Sequence, residues 1–295
     1  MARSGKAKAG GRDSVQFLID HQAISAHLGR SATSRTYLWN LLFVAEVIAL
    51  LLLWEMISGP LGWMNPKFFP PPSAIFEELW RMLPVVGESP ITDDILFSMK
   101  NFAYGYVLAA VVGTMLGLLV GTSKVGELLL APLVYYAYAV PRSALAPVII
   151  LIWGLGAQSK VVLVFLLAVF PVLITTMEGA AQVDQTRVDA GRVFGATRVQ
   201  TMRKVVLPDL FPYVLIGLRI AVIRGYIGVL IGELMGSFKG LGTILKRSSY
   251  QFELDKSFAV VFILIVLSSL TMLLVSFLKT KLAPWHEEDD LLKPR

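Results

Sequence analysis

The sequence predicts an all-α polytopic membrane protein with six transmembrane helices. Of 295 residues, 55% are apolar and only 16% charged, and the mean hydropathy is +0.66. A soluble domain carries roughly 45–50% apolar and about 25% charged residues, so both figures deviate in the same direction. The apolar residues also gather into separate runs of about 20, the length that crosses a bilayer as a helix. This composition excludes a disordered chain, and the absence of Cys excludes a disulfide scaffold or a thiolate metal site.

Residues 1–37 form a mixed N-terminal arm with a modest amphipathic stretch, Val15, Phe17, Leu18, Ile24 and Leu28. Such a stretch lies on headgroups more readily than it folds alone. The first apolar run, 38–58, is broken only by Glu46 and Glu55. It is too long for a secretory h-region and reads as an uncleaved anchor. Pro70, Pro71 and Pro72 then lead into a short helix with Ser73 as N-cap and Ile75, Leu79 and Leu83 on one side. The remaining spans are placed at 98–121, 128–152, 160–178, 210–235 and 257–278, followed by a tail over 279–295. The third contains Arg142 beside Pro141, and the fifth contains Arg219, Arg224 and Glu233.

An even number of spans puts both termini on one face. With that face in the cytoplasm, 16 of the 27 basic residues lie inside and 7 outside. Basic loops favour the cytoplasm, so cytoplasmic termini are expected. The net charge of +6 is then a topology signal, and no nucleic-acid partner is expected.

Two spans carry small residues at helical spacing. Gly105, Ala109, Gly113, Gly117 and Gly121 recur every four residues, and Gly225, Gly228, Gly232 and Gly236 repeat the device. Small residues in such register let helix backbones approach closely in lipid. Gly113, Gly117, Gly228 and Gly232 are the expected centre of that packing.

The one sizeable cytoplasmic loop runs over 179–209. A first helix is expected from Thr186 to Phe194, with Val188, Gly191 and Phe194 near one face and Gly195 as its stop. Thr197 with Gln200 three residues on makes a capping box for a second helix. That helix is expected to run to Val206 and end before Pro208.

Asp189-Ala190-Gly191, then Gly195, then Val205-Val206-Leu207-Pro208 resembles the "EAA, three residues, Gly, nine residues, Ile-x-Leu-Pro" signature. That signature marks the membrane subunit of binding-protein-dependent ABC importers. Asp189 stands where Glu is usual and Gly191 where Ala is usual. Phe69-Pro70-Pro71-Pro72-Ser73, Val140-Pro141-Arg142-Ser143, Trp153-Gly154-Leu155-Gly156 and Gly240-Leu241-Gly242 are similar to the subgroup importing nitrate, alkanesulfonates and taurine. The resemblance extends from about Phe69 to Trp285. It implies a type I ABC importer permease fold in a bacterial cytoplasmic (inner) membrane, with the loop as a coupling helix. Asp189, Ala190, Gly191, Gly195, Leu207 and Pro208 are then the residues that couple to an ATPase. The implied partners are a second permease subunit, two cytoplasmic ATPase subunits, an external substrate-binding protein and membrane lipid.

No G-x-x-x-x-G-K-[ST] occurs, so ATP and its magnesium are expected on the partner ATPase and no cofactor or metal on this chain. Neither H-E-x-x-H nor G-x-S-x-G occurs, and His21, His27 and His286 all lie in terminal segments. No enzyme site is expected. Ionisable residues inside a membrane usually face a cavity or pair with one another. Arg142, Arg224 and Glu233 are therefore candidates to line the path of a small anion, with ion pairing of the arginines to Glu46 or Glu233 as the alternative. An ATP-independent secondary transporter or channel is the rival function, and interrupted helices in repeated halves would mark it.

Overall fold

The computed structural model describes residues 41–82 and 91–282. The amphipathic stretch from Val15 to Leu28, Leu83, the three histidines and the tail charges beyond 282 lie outside them. No strand occurs among the described residues. The chain divides into two units at Pro72, and each stands by itself below.

In the first unit, helix α1 (Leu41–Ser58) is a candidate span. Beyond it the chain folds back on the helix end. Leu61 N–H donates to Met56 O at 3.0 Å, and the Phe69 ring lies 5.3 Å from that of Trp54.

The second unit opens within α2 (Pro72–Met82). Ser73 falls inside this helix rather than capping it, because Pro72 already occupies its first position, where proline loses no hydrogen bond. Then follow α3 (Thr92–Gly121), α4 (Lys124–Ala139), a short 3₁₀ turn (Arg142–Leu145), α5 (Ala146–Trp153) and α6 (Ala157–Ala181). The chain continues through α7 (Gln185–Val193), α8 (Arg198–Thr201), a π-helical turn (Met202–Val206) and α9 (Leu207–Gly236) to α10 (Leu241–Tyr250) and α11 (Leu254–Leu282).

Among the described residues five helical runs are long and apolar enough to cross a membrane, and α4 with α5, bent by 70°, meets the same test as a pair. The third span is thus broken at Pro141, the residue expected to bend it. Pro141 removes an amide donor and the chain turns extended at Val140. Outward faces are apolar, as at Leu119, Leu128, Leu151 and Leu273. A lipid solvent permits that.

Helix α6 is the centre of the unit, held between α3 and α9. A Cβ at Gly113 would sit 2.9 Å from Val169 O, and one at Gly117 2.6 Å from Thr176 Cβ. From the other side, a Cβ at Gly228 would lie 2.9 Å from Val164 Cα and one at Gly232 3.0 Å from Leu163 Cδ1. Only hydrogen fits between these backbones. Tyr106 Oη donates to Leu218 O at 3.0 Å, and the Phe102 ring stacks between Tyr106 and Tyr226. Thr271 on α11 shares a 2.9 Å hydroxyl contact with Tyr226.

Candidate functional site

The loop between α6 and α9 is ordered by local chemistry at every joint. Asp184 caps α7, its Oδ1 accepting the Thr186 N–H at 2.9 Å. That hydrogen bond holds the Asp184 carboxyl below the usual carboxylate range. The cap's contribution is therefore complete at neutral pH and is lost only as acidification passes through this lowered value.

At the other end of α7, Gly195 adopts φ +77°, its N–H donates to Arg192 O and the Ala196 N–H donates to Gly191 O, each at 2.9 Å. This double bond around a left-handed residue closes the helix, and glycine adopts that conformation without strain. Thr197 and Gln200 form both halves of a capping box on α8.

Helix α8 does not end before Pro208. It passes through the π turn into α9, giving one helical run from Arg198 to Gly236. Pro208 falls at the second position of α9, where the wider turn before it has already displaced the usual hydrogen-bond register. The loop is thereby a rigid extension of a membrane span.

Val183, Val188 and Val206 bury together and fix α7 against that extension. Arg187 adds an ion pair to Asp209 at 2.7 Å. Val188 is buried, whereas Val193 and Phe194 are 85% and 90% exposed, so Phe194 does not share its face. Asp189 pairs with Arg192 at 3.0 Å on the surface. A cleft of about 710 Å³ lies between α7 and the start of α9, lined by Ala190, Gly191, Lys204 and Pro208 among others. Leu207 is 38% exposed beside it. A rigid helical bracket with two bare apolar side chains at its tip is suited to docking into another protein.

The second feature is the break in the third crossing. There the Arg142 guanidinium lies 4.4 Å from the Tyr138 ring centre and 4.7 Å from that of Phe170. Its Nε and Nη1 are shielded from solvent and have no hydrogen-bond partner among the described residues. Arg224 stands on the exposed face of α9, close enough to repel Arg142 electrostatically.

Glu233 is placed elsewhere. It is 1% exposed, and its carboxylate accepts from Ser98 Oγ at 2.8 and 2.9 Å and from Gly242 N–H at 2.8 Å. Ser98 Oγ in turn accepts the Leu241 N–H at 2.9 Å, and Asp94 Oδ1 accepts the Gly240 N–H at 2.6 Å. Lys160, also fully buried, feels the charge of Glu233 and donates to Leu155 O, Ser159 Oγ and Gly236 O. Charges and backbone groups here are mutually satisfied, so this knot ties α3, α6, α9 and α10 at the end remote from the loop. Gly240, at φ +109°, has no room for a Cβ beside the Glu233 carboxylate.

Ser98, Lys160, Tyr138 and Phe170 were not singled out from the sequence. A lysine and a glutamate inside otherwise apolar runs were the available signal for the knot. Nothing in sequence spacing relates Ser98 to Glu233, 135 positions apart.

Residues 96–285 match the protein family described as "Binding-protein-dependent transport system inner membrane component". SsuC of Bacillus subtilis, whose name describes an aliphatic sulfonates transport permease protein, is 34% identical over 257 residues, 85% of this chain and 90% of that protein. The taurine transport system permease protein TauC of Escherichia coli is 28% identical over 252 residues, 84% of this chain and 90% of that one. A solved structure of the MetNI methionine ABC transporter, described as inward facing, is similar with TM-score 0.50 at 18% identity. That match covers 76% of this chain and 99% of the other.

Proposed function

This chain belongs to the family of binding-protein-dependent transport system inner membrane components, and from that membership we propose the assembly and cargo of its importer. It is the membrane-spanning permease subunit of an ABC importer with the type I permease fold. The assembly pairs two copies of the chain with two cytoplasmic ATPase subunits and an external substrate-binding protein. ATP and magnesium belong to the ATPase subunits, and both termini of this chain lie in the cytoplasm. The cargo is a small anion of sulfonate type, in line with the sulfonate and taurine permeases that the chain resembles.

The observation that carries the ATPase partnership is the loop tip. Val193 and Phe194 are bare on a capped helix that Gly195 terminates, and the bracket behind them continues into α9. ATP binding would draw the two brackets together and turn the path outward. Hydrolysis would return it inward. Because the bracket and the span are one helical run, movement of the tip reaches the membrane without a flexible joint. A secondary transporter is not favoured: α4 with α5 is the single bent crossing among the described residues.

Co-expression with the ATPase subunit tests this reading. Phe194→Glu places a charge in an apolar contact, and Gly195→Val puts a β-branched residue at positive φ. Both are expected to cut ATPase recovery at least tenfold while the chain stays in the membrane. Gly191→Ala is the conservative change on the coupling face itself, since its Cβ would meet nothing nearer than Thr201 Oγ1 at 3.8 Å. It is expected to keep full recovery and to favour helix α7 by about 1 kcal/mol. Undiminished recovery with both Phe194→Glu and Gly195→Val would contradict the docking role.

A further inference from the structure

We propose that the break in the third crossing is a binding station for a compact oxyanion, with Arg142 as its ligand and Arg224 as a second cation that attracts it. The proposal rests on the importer reading and adds to it the residue that recognises the cargo's charge within the membrane.

Four observations converge on this. Helix α4 has 16 residues, roughly 24 Å at 1.5 Å per residue, so a crossing that starts at Lys124 brings Arg142 toward the far side of a hydrocarbon layer of about 30 Å. A guanidinium at that depth needs compensation, and the usual source is a carboxylate. None is supplied among the described residues. In α9, Glu233 is occupied by Ser98 and Gly242 and Asp209 by Arg187, and Glu178 accepts from Tyr135 at 2.8 Å. After Tyr138, the group that acts on Arg142 is another cation, Arg224 on the exposed face of α9, and neighbouring positive charges attract anions.

The rings of Tyr138 and Phe170 supply the third observation. Both lie within cation–π distance of the guanidinium, and Tyr138 also interacts with it electrostatically. Two of its nitrogens, Nε and Nη1, are then without acceptors although water is excluded from them. Donors left in this state are costly until an acceptor arrives. An incoming oxyanion satisfies the charge and the donors together, and planar guanidinium N–H groups match the spacing of paired oxygens on sulfonate or carboxylate. A neutral solute would leave the charge uncompensated.

Finally, the station sits where the crossing is interrupted, with a 70° bend between α4 and α5. Broken helices are where transporters place ligand contacts, because backbone and side chains there can turn toward a cavity. The aromatic clamp holds Arg142 at that bend, so a change in bend angle would move the charged ligand with it.

The test uses the complete importer in liposomes: this chain, its ATPase subunits and its binding protein. The probes are ethanesulfonate, taurine, bicarbonate and nitrate, with ATP hydrolysis and uptake as readouts. At least one of these anions is expected to drive uptake by the wild type. R142Q should lower that uptake at least tenfold with ATPase recovery unchanged. R142K, which keeps the charge but loses the planar donors, should fall between them. R224Q should raise the half-saturating anion concentration several-fold with a smaller loss of maximal rate. If R142Q fails to assemble, Tyr138→Leu carries the test and must raise the half-saturating concentration. Wild-type uptake in R142Q, unchanged half-saturation in an assembled Tyr138→Leu, or a wild-type complex that responds to none of the four anions overturns the proposal. A wild-type chain that recovers no ATPase subunit counts against the importer reading itself, and that measurement precedes any uptake assay.

Discussion

Replacing Gly117 by leucine is expected to abolish recovery of a folded membrane subunit. A Cβ at this position would lie 2.6 Å from Thr176 Cβ and 2.7 Å from Leu173 O, and the second contact is backbone that no rotamer change can relieve. Helices α3 and α6 would have to separate. In lipid there is no hydrophobic gain to offset that separation, because association between spans rests on the contacts themselves. Even Gly117→Ala should cost on the order of 1–3 kcal/mol, the range found for forcing atoms into a packed core. Thermal unfolding in detergent, followed by monodispersity, reads the effect. Gly62→Ala meets no atom within 4 Å, and although its φ of +59° adds local strain, it should leave the bundle assembled. A Gly117→Leu chain with wild-type yield and stability would show that the α3–α6 approach does not hold the fold.

Glu233→Ala is expected to be the second large loss. It strips acceptors from the Ser98 hydroxyl and the Gly242 amide and leaves the fully buried Lys160 without its opposing charge. Leaving a buried donor without its acceptor typically costs about 1–3 kcal/mol per group, and the unopposed Lys160 charge adds to that loss. The double variant Glu233→Ala with Lys160→Met removes the stranded cation as well, so it should recover part of the lost stability. That non-additivity is the signature of coupling between the two sites. Gly240→Ala should resemble Glu233→Ala, because its Cβ would strike the same carboxylate. Strictly additive losses in the double variant would place Lys160 outside the knot.

Much of this architecture is visible in local sequence chemistry, and the places where it is not share a cause. Apolar runs locate the spans, and the loop's caps use neighbours two to five residues apart, as with Thr197 and Gln200 or Gly191 and Ala196. Pro141 marks the interruption of the third span, but the size of the bend has no local signature. Whether a proline kinks or breaks a span depends on what the neighbouring helices supply. Pro208 reads as a stop because a regular α-helix would exclude it so close to Val206; the π turn that accommodates it leaves no local sequence mark. Ser98 and Glu233 lie on helices that only the fold brings together, and the aromatic pair around Arg142 joins Tyr138 to a phenylalanine 32 positions later. Such partnerships depend on helix–helix register, which periodicity within one span does not contain.

The absence of cysteine makes a direct test of the central claim available. A single cysteine at Phe194, labelled with a photoactivatable cross-linker in membranes containing the ATPase subunit, reports what the loop tip touches. A second chain carries its cysteine at Phe238, 84% exposed beyond the opposite end of α9. Permease action through this loop predicts a covalent adduct with the ATPase subunit from position 194 and none from position 238. No ATPase adduct from position 194, or an ATPase adduct from position 238, would contradict it.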